Sequence, residues 1–566
     1  MTRRERLAET ARRNRMEIVA AGLSRREMLA LGLLGGSGYL VAKGGVSAWA
    51  SPGPDGGFKS PATTPFLEEL PIAPVLSTSS LSPAPGEAPV AGEAPRASHQ
   101  RFGEFPPQKT YELTVRPALH SFHPELPPST IWGYNGSFPG PTIKARYGEP
   151  VVVRFRNELP ALAQHSGFGR PEITTHLHNG HTASESDGFA GDFYATGLFK
   201  DNHYPNVHAG FSGSFAPNGD PRETLATLWY HDHRFDFTAQ NVYRGLVGFY
   251  LLYNELDSGD ETNPGGFGLP SGRYDIPLIF ADKVFDSAGQ VYYDLFNLDG
   301  ILGDKFTVNG KIQPRFRVAR RKYRFRLLDG GPSRFYEFFL SSGQPFVQIS
   351  EDGNLLPAPL ARKSIRLGVA ERVDVVLDFT QAPSTVYLEN RLEQKSGRGP
   401  TGKILPAGQG DLVLRFDVEG GPVPDPSRIP ARFYELPPAD PAEAVTTRSW
   451  RFERTNGAWA INGKFFDVNE VRAAPRQGTA EIWVLKASGN WWHPIHIHFE
   501  EFQILSRNGR RPPANEIARK DVVKLSPNEE VRLFIRFRDF HGRHVMHCHN
   551  TVHEDHAMML RWDIVP

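Results

Sequence analysis

The stretch His547-Cys548-His549-Asn550-Thr551-Val552-His553-Glu554-Asp555-His556-Ala557-Met558 decides how the rest of the chain is interpreted. It contains the only cysteine, two flanking histidines, a third histidine five residues after the cysteine and a methionine five residues after that. Two imidazoles, a thiolate and a weak axial thioether form the ligand set of a blue-copper electron-transfer site. Because side chains alternate along a strand, Cys548 would point to one face while His547 and His549 point to the other. The stretch therefore predicts copper on one face and further metal on the opposite face.

Three more histidine clusters precede this stretch. His176-Leu177-His178 and His231-Asp232-His233 each hold two histidines at a spacing of two, so that on a strand both imidazoles share a face. His493-Pro494-Ile495-His496-Ile497-His498 holds three, of which the last two share a face and the first has the opposite parity. One such pair alone is more often a coincidence than a ligand pair, but four clusters with complementary spacing predict a copper protein.

Length and composition favour several strand-rich domains. A chain of 566 residues is too long for one hydrophobic core. The 55 glycines and 48 prolines, with recurring runs of Val, Phe and Thr, favour many short strands over long helices. A formal net charge of +1 gives no reason to expect nucleic-acid binding. A single cysteine excludes a disulfide within the chain.

The first fifty residues predict an export signal. A twin-arginine pattern, Ser24-Arg25-Arg26-Glu27-Met28-Leu29, is followed by a short apolar run and by the small-x-small pattern Ala48-Trp49-Ala50. We expect residues 1–50 to be a twin-arginine signal peptide that is cleaved after Ala50, with an ordinary basic helix or an uncleaved anchor as the alternative. The apolar run is too short and glycine-rich for a stable membrane span. The expected partner is the twin-arginine export machinery, and the expected location is periplasmic or extracellular.

The remaining chain divides by composition and pattern. Residues 51–106 are rich in Pro, Ala, Ser and Gly, which predicts a flexible linker, with packing of part of it against a domain as the alternative. A long loop over 390–410 is either ordinary surface or the border of a substrate entrance. Alternating strand patterns then predict three domains, 107–256, 274–420 and 440–566. The middle domain holds no histidine, and we expect it to be a structural spacer.

The order and spacing of the four clusters resemble the copper signatures of the multicopper oxidases. Asn241-Val242-Tyr243-Arg244-Gly245-Leu246, after the second pair, resembles the branch that contains bacterial laccases and bilirubin oxidases. The resemblance runs from about Lys109 to Pro566. It implies an all-β fold of three cupredoxin-like Greek-key β-barrel domains, with a trinuclear copper cluster between the first and the third.

The resemblance also implies four copper ions per chain and assigns their ligands. It gives the type 1 copper His493, Cys548 and His553, with Met558 as the weak axial ligand. It gives the type 2 copper His176 and His496. The type 3 pair takes the remaining histidines of the clusters, His178, His231, His233, His498, His547 and His549.

The activity that the resemblance implies couples two half-reactions. A small reducing substrate would give electrons one at a time to the type 1 copper, and the trinuclear cluster would reduce dioxygen to water. Cys548 would connect the two sites, since it is covalently continuous with the histidines on either side. Asp187 and Glu554 match acidic positions that the family uses for proton supply. Their alternatives are a turn for Asp187 and orientation of a ligand imidazole for Glu554.

The sequence constrains the substrate less than the oxygen chemistry. The six methionines lie in the signal region or at the copper stretch, which leaves none for a cuprous-ion site. Glu500 and Glu501 keep an Mn(II) or Fe(II) oxidase open, whereas phenols and aromatic amines are the default. Two alternatives of other classes are a non-catalytic cupredoxin-fold binding protein, opposed by the complete ligand set, and a copper nitrite reductase, opposed by three domains with a trinuclear set in one chain.

Overall fold

A computed structural model describes residues 3–22, 59–455 and 458–566. Strands make up 41% of the structure and helices 8%, which confirms the all-β prediction. The twin-arginine pattern and the expected cleavage site lie outside the described residues.

The described part of the chain contains three α-helices and 32 strands. The helices are α1 (Arg3–Gly22), α2 (Thr238–Arg244) and α3 (Thr551–Asp555). The strands are β1 (Lys109–His120), β2 (Ser129–Tyr134), β3 (Ile143–Arg146), β4 (Val151–Asn157), β5 (Thr175–His178), β6 (Phe199–Tyr204), β7 (Thr227–Asp232), β8 (Val247–Tyr253), β9 (Asp275–Phe285), β10 (Val291–Tyr292), β11 (Lys305–Val308), β12 (Lys311–Ile312), β13 (Arg315–Arg320), β14 (Lys322–Asp329), β15 (Tyr336–Leu340), β16 (Phe346–Glu351), β17 (Asn354–Arg362), β18 (Ile365–Leu367), β19 (Arg372–Asp378), β20 (Thr385–Asn390), β21 (Asp411–Pro422), β22 (Ala444–Thr455), β23 (Ala458–Ile461), β24 (Val471–Ala473), β25 (Thr479–Ala487), β26 (His493–Ile497), β27 (Phe502–Arg507), β28 (Arg519–Lys520), β29 (Val522–Leu525), β30 (Glu530–Phe537), β31 (Gly542–Cys548) and β32 (Met559–Ile564).

These strands form six sheets, two in each of three consecutive barrels. Barrel 1 has the orders β2-β1-β4-β6 and β3-β8-β7-β5. Barrel 2 has β12-β11-β9-β14-β19-β16-β17, with β10 on β9, and β13-β21-β20-β15-β18. Barrel 3 has β23-β22-β25-β30-β27-β28 and β24-β32-β31-β26-β29. One parallel pair recurs at the same place in each barrel, β1 with β4, β9 with β14 and β22 with β25. The chain therefore repeats one cupredoxin-like Greek-key topology three times.

Each barrel is closed by apolar side chains between its two sheets. Alternation along the strands directs one set of side chains inward, as the burial of Leu113 and Val115 on β1 illustrates. Large buried residues fill the three cores, among them Tyr134 and Tyr250 in barrel 1, Phe325 and Phe416 in barrel 2, and Trp483 and Trp562 in barrel 3.

Residues 59–106 pack against the barrels, so the prediction of a flexible linker is wrong for them. Leu70 is buried in the core of barrel 2 and Ala94 in that of barrel 1. Isolated backbone bridges join this segment to the barrels at three points, Glu69 to Arg315, Val75 to Thr142 and Glu93 to Phe199. Composition did not reveal these contacts because single apolar side chains and single bridges hold the segment, without a periodic pattern.

Helix α1 also lies against the barrels, although it belongs to the predicted signal peptide. Ile18 and Val19 are buried, and Asn14 Nδ2 donates to Asp236 Oδ1 at 2.8 Å and to the Asp555 carbonyl at 3.2 Å. Among the residues described, no helix combines the length and the apolar character needed to cross a membrane.

Candidate metal centre

Two pairs of neighbouring strands bring the histidine clusters together. In barrel 1, β5 and β7 are antiparallel, with His176 opposite His231. In barrel 3, β26 and β31 are antiparallel, with His496 opposite His547. Since side chains alternate along each strand, these pairs present histidines on one face and leave the Cys548 side chain on the other.

Cys548 forms a compact site with His493, at the start of β26, and His553, in α3. Its Sγ lies 3.4 Å from His493 Nδ1 and 3.6 Å from His553 Nδ1, and the two nitrogens are 3.2 Å apart. Met558 is fully buried in the same core, and its carbonyl accepts a hydrogen bond from the Cys548 N–H at 3.1 Å. All four predicted residues of the sulfur site therefore come together, and His493 departs from the face of its neighbouring histidines as its parity predicts.

On the other face, eight buried histidines surround one space between barrels 1 and 3. His176 Nε2 lies 3.3 Å from His496 Nε2, and His233 Nε2 lies 3.1 Å from His547 Nε2. Each of these contacts joins the two barrels. Three groups made only of cluster histidines have ligand atoms within 4.8 Å of one another: His176 with His178 and His231, His176 with His496 and His498, and His233 with His498 and His547. A fourth group joins His178 and His496 with Asp521.

Four imidazoles of the cluster contact protein oxygen atoms through Nδ1. The Nδ1 atoms of four histidines lie 2.5–2.9 Å from backbone or carboxylate oxygens: His176 and the Asp187 carbonyl, His231 and the Asp232 carbonyl, His496 and the Asp521 carbonyl, and His498 and Asp187 Oδ2. A neutral imidazole that donates from Nδ1 has an unprotonated Nε2. The lone pairs of these rings therefore face the shared space, as metal ligands require.

His178 lies beside two residues that the sequence did not indicate. Its Nε2 lies 3.3 Å from Asp521 Oδ2, and among the described residues neither of its ring nitrogens has a hydrogen-bond partner. Arg372, from β19 of barrel 2, holds both carboxylate oxygens of Asp521 at 2.8 Å. Asp521 and Arg372 are single residues that belong to no motif with a characteristic spacing, and only the tertiary fold brings them to the cluster.

Barrel 2 contacts the sulfur site as well, so the prediction that it is only a spacer is wrong. The carbonyl of Asp299, in the loop before β11, lies 3.0 Å from His553 Nε2. Asn550 Nδ2 lies 3.1 Å from the same nitrogen, and the two contacts hold the ring with Nδ1 toward Cys548 Sγ. The middle barrel therefore orients one ligand at each site although it holds no histidine.

Both predicted acids contact imidazoles of the cluster. Asp187 Oδ2 accepts from His498 Nδ1 at 2.8 Å. Glu554 Oε2 lies 3.0 Å from His547 Nδ1, and its Oε1 lies 3.8 Å from His233 Nε2. Both carboxylates are buried. Each therefore orients a ring, and Glu554 also extends its second oxygen toward the interior of the cluster.

The chemistry of these side chains fits bound metal. Burial lowers the pKa of His493 to about 3 and that of His178 well below its usual range, so the rings are neutral and can bind a cation. Burial also raises the pKa of the Cys548 thiol, which loses its proton only with a cation beside it. Among the described residues, His231 Nε2 and both ring nitrogens of His549 are buried without a hydrogen-bond partner. A metal ion satisfies such atoms, and a His₂Cys set with a nearby methionine favours copper.

Known proteins with similar sequences agree with this chemistry. Family models described as "Multicopper oxidase" match residues 120–192 and 437–566. A bilirubin oxidase from Albifimbria verrucaria is 36% identical over 465 residues, which cover 79% of this chain and 75% of that protein. The chain belongs to the multicopper oxidase family. A laccase from Bacillus subtilis (strain 168) is 32% identical over 516 residues, which cover 81% of this multicopper oxidase and 94% of the laccase.

Solved structures agree on the fold of this multicopper oxidase. The crystal structure of a laccase from Pediococcus acidilactici superposes with a TM-score of 0.70 at 24% identity, covering 90% of this chain and 95% of that chain. This multicopper oxidase is a laccase-like, copper-dependent oxidoreductase.

Proposed function

We propose that this multicopper oxidase takes single electrons from a phenol or an aromatic amine and reduces dioxygen to water. The observation that carries the proposal is the position of Cys548 between His547 and His549. The thiol belongs to the sulfur site, while the rings of its two chain neighbours belong to the eight-histidine cluster. One residue therefore links the two sites through covalent bonds.

The proposed ligand assignment gives four copper ions per chain. His493, Cys548, His553 and the axial Met558 would bind type 1 copper, and His176 and His496 would bind type 2 copper. The type 3 pair would be held by His178, His231, His233, His498, His547 and His549. Copper bound in this way would supply one-electron redox chemistry at the sulfur site and dioxygen reduction at the cluster. The chain itself buries both sites and fixes the ring orientations.

We assign proton supply for dioxygen reduction to Asp187 and Glu554. Each carboxylate is buried beside the cluster, where bulk water cannot deliver protons directly. Orientation of a ring and delivery of a proton are compatible roles, because a carboxylate has two oxygens. In Glu554, Oε2 meets His547 Nδ1 while Oε1 extends toward His233.

The two carboxylates that kept a metal-ion oxidase open are engaged elsewhere. Glu500 Oε2 lies 2.8 Å from Arg538 Nη2, and Glu501 Oε2 lies 2.7 Å from Arg519 Nη1. Both carboxylates are buried. An Mn(II) or Fe(II) ion would have to displace both arginines to use them, which favours an organic donor over a metal-ion donor.

An oxygen-uptake panel on the copper-loaded protein tests this function. The donors are 2,6-dimethoxyphenol, an aromatic amine, bilirubin, Fe(II), Mn(II) and Cu(I), with nitrite consumption measured in parallel. We expect uptake with the phenol and the amine, and none of it in the Cys548→Ser variant. If only the metal ions supported oxygen uptake, the proposed substrate class would be wrong. If the protein consumed nitrite without oxygen uptake, the proposed reaction would be wrong.

We also propose export by the twin-arginine route to the periplasm or the extracellular space. The support is the pattern over residues 24–29 with its following apolar run. Replacing both Arg25 and Arg26 by Lys is expected to leave the protein in the cytoplasm, as cell fractionation would measure. Unchanged export of that variant would contradict the route.

A further inference from the structure

An aromatic surface lies directly beside the type 1 ligand His553. The ring of the buried Trp459 lies 3.8 Å from the His553 ring, with 34° between their planes. Trp491, which is only partly buried, meets Trp459 edge-on at 4.6 Å and lies 5.7 Å from His553. Contacting rings therefore lead from the protein surface to the sulfur site.

Two exposed arginines flank the outer ring of this surface. The guanidinium carbon of Arg398 lies 5.1 Å from the centre of the Trp491 ring, and that of Arg454 lies 5.8 Å from it. Arg454 is neutralised by Asp299, at 2.9 Å. Within the described part of the chain, no carboxylate forms an ion pair with Arg398. Arg398 therefore supplies a cation without a counter-charge beside an accessible indole.

The loop over 390–410, which carries Arg398, borders the sulfur site. The Arg398 carbonyl accepts from the Trp492 N–H at 2.9 Å, and the Gly397 carbonyl accepts from Asn550 Nδ2 at 3.4 Å. The structure thus favours the second of the two sequence-based interpretations of this loop, the border of an entrance. The charged residues of this loop are predominantly basic: it contains one acidic residue, Glu393, and four basic residues, Arg391, Lys395, Arg398 and Lys403.

We propose that Trp491, Arg398 and Arg454 form a docking site for planar aromatic donors that carry a carboxylate or sulfonate group. The donor ring stacks on the exposed part of the indole, and its anionic group meets the Arg398 guanidinium. Positively charged aromatic donors are repelled by the same group. This specificity rests on the proposed function, because it names the class of phenol that the type 1 site receives.

The charge contribution is modest and depends on salt. Arg398 is exposed, so that an ion pair with a donor strengthens binding by only about threefold. Salt at about 1 M screens charges beyond roughly 3 Å and removes most of this gain. Stacking on Trp491 persists under these conditions, since burial of apolar surface does not depend on charge.

Kinetics with a matched donor pair test the docking site. Syringate and its methyl ester present the same phenol with and without an anionic group. In Arg398→Gln we expect the KM for syringate to rise about threefold, with the KM for the ester and both kcat values unchanged. Arg398→Lys keeps the cation and is expected to recover most of the syringate affinity. The control is Arg511→Gln, which removes an exposed arginine from the loop between β27 and β28.

A binding measurement separates this proposal from the proposed function. Isothermal titration calorimetry of the copper-loaded full chain with 2-naphthalenesulfonate measures the binding of a redox-inert aromatic anion, whether or not any phenol is oxidised. We expect weaker binding in Arg398→Gln, unchanged binding in Arg511→Gln, and competition of the sulfonate with syringate. Equal binding by wild type and Arg398→Gln, together with an unchanged ratio of the two KM values, would overturn the docking site. Failure of oxygen uptake with every phenol would instead overturn the proposed function.

Discussion

Glu554 contacts ligand imidazoles from both sides of the barrel 1–barrel 3 boundary. His547 belongs to barrel 3 and His233 to barrel 1, and the two carboxylate oxygens approach them separately. A carboxylate in that position can keep the His547 ring in place with one oxygen and hold a proton on the other. The two roles predict different consequences for an amide replacement, because an amide keeps a hydrogen-bonding oxygen but cannot carry an exchangeable acidic proton.

The variant Glu554→Gln is expected to lose oxygen uptake while it keeps its copper. Loss of a positioned general acid slows turnover by roughly a hundredfold. The blue thiolate band and the copper content are expected to remain as in wild type. The matched control is Glu443→Gln, an exposed glutamate whose partner is Arg536. Wild-type turnover in Glu554→Gln would show that Glu554 only orients its ring.

Arg372 holds the carboxylate of Asp521 beside His178. Both members of the pair are buried. Arg372→Met leaves a buried carboxylate without its partner, which is expected to lower the free energy of unfolding by about 3–5 kcal/mol. Denaturant unfolding measures the loss. Arg317→Met is the control, because Arg317 is 56% exposed and its ion pairs contribute at most about 1 kcal/mol. Equal losses in the two variants would contradict the role of Arg372.

For single residues, the clustering of Cys548 and the histidines could be predicted from the sequence better than the residues that support them. The clusters could be predicted because copper needs particular donor types, and strands repeat them at a fixed spacing. Asp521, Arg372 and the Asp299 carbonyl could not, because each acts once, from a distant part of the chain, and one of them acts through backbone. The resemblance indicated Asp187 and Glu554 only because these acids occupy positions that the family shares.

Among the elements, β26 and β31 explain how one stretch serves two sites. Alternation on β31 predicts that Cys548 and His547 have opposite directions, and their distinct neighbours in the structure agree. The same parity on β26 separates His493 from His496. Helix α1, in contrast, could not be placed from the sequence. It is polar on average, and no sequence feature indicates that Ile18 and Val19 pack it against the barrels.

Docking of α1 predicts a clear response to substitution at one position. Ile18 is 2% exposed, so Ile18→Asp buries a carboxylate at the interface and is expected to release the helix. A released helix of 20 residues is marginal in water and loses amide protection. Hydrogen exchange of residues 3–22 in the uncleaved chain measures this. Met16, 39% exposed on the same helix, provides the control Met16→Asp. Equal protection in both variants would contradict the docking.

Over the whole molecule, buried ion pairs join barrels 1 and 3 near the cluster. Glu223 contacts Arg538 Nη1 and Arg519 Nη1, each at 2.8 Å. Burial alone would raise the pKa of Glu223, but the two guanidinium groups outweigh it and lower the pKa from 4.5 to about 2. A carboxyl whose pKa falls on folding stabilises the fold above its unfolded pKa, and this stability is lost as the pH falls toward the folded pKa.

The pH dependence of unfolding is therefore expected to differ between wild type and Glu223→Gln. The pKa difference corresponds to about 3 kcal/mol of stability at about pH 6 or above, and more than half of it is lost by about pH 3. Urea unfolding of both proteins at these two pH values measures the change. The wild type should lose stability relative to the variant between them. A constant difference across this range would contradict the coupling.

The three-barrel plan could be predicted from the sequence, whereas the contacts between its parts could not. Strand patterns and the four clusters, with the resemblance that they carry, indicated the fold and the histidines that the structure brings together. The packing of residues 59–106 and the two contacts from barrel 2 depend on side chains and carbonyls that meet only after the barrels assemble. Such contacts leave no local period in the sequence, and the histidine-free middle barrel therefore resembled a spacer.

One buried thiol and ten histidines, two beside the thiol and eight in the cluster, are proposed to form a copper system that reduces dioxygen completely. The most direct test measures oxygen uptake, phenol oxidation and peroxide together in the copper-loaded protein. We expect about four one-electron oxidations of 2,6-dimethoxyphenol for each dioxygen consumed, without peroxide, and loss of this coupled reaction in Cys548→Ser. Peroxide as the product, or undiminished phenol-driven oxygen uptake in the Cys548→Ser variant, would contradict it.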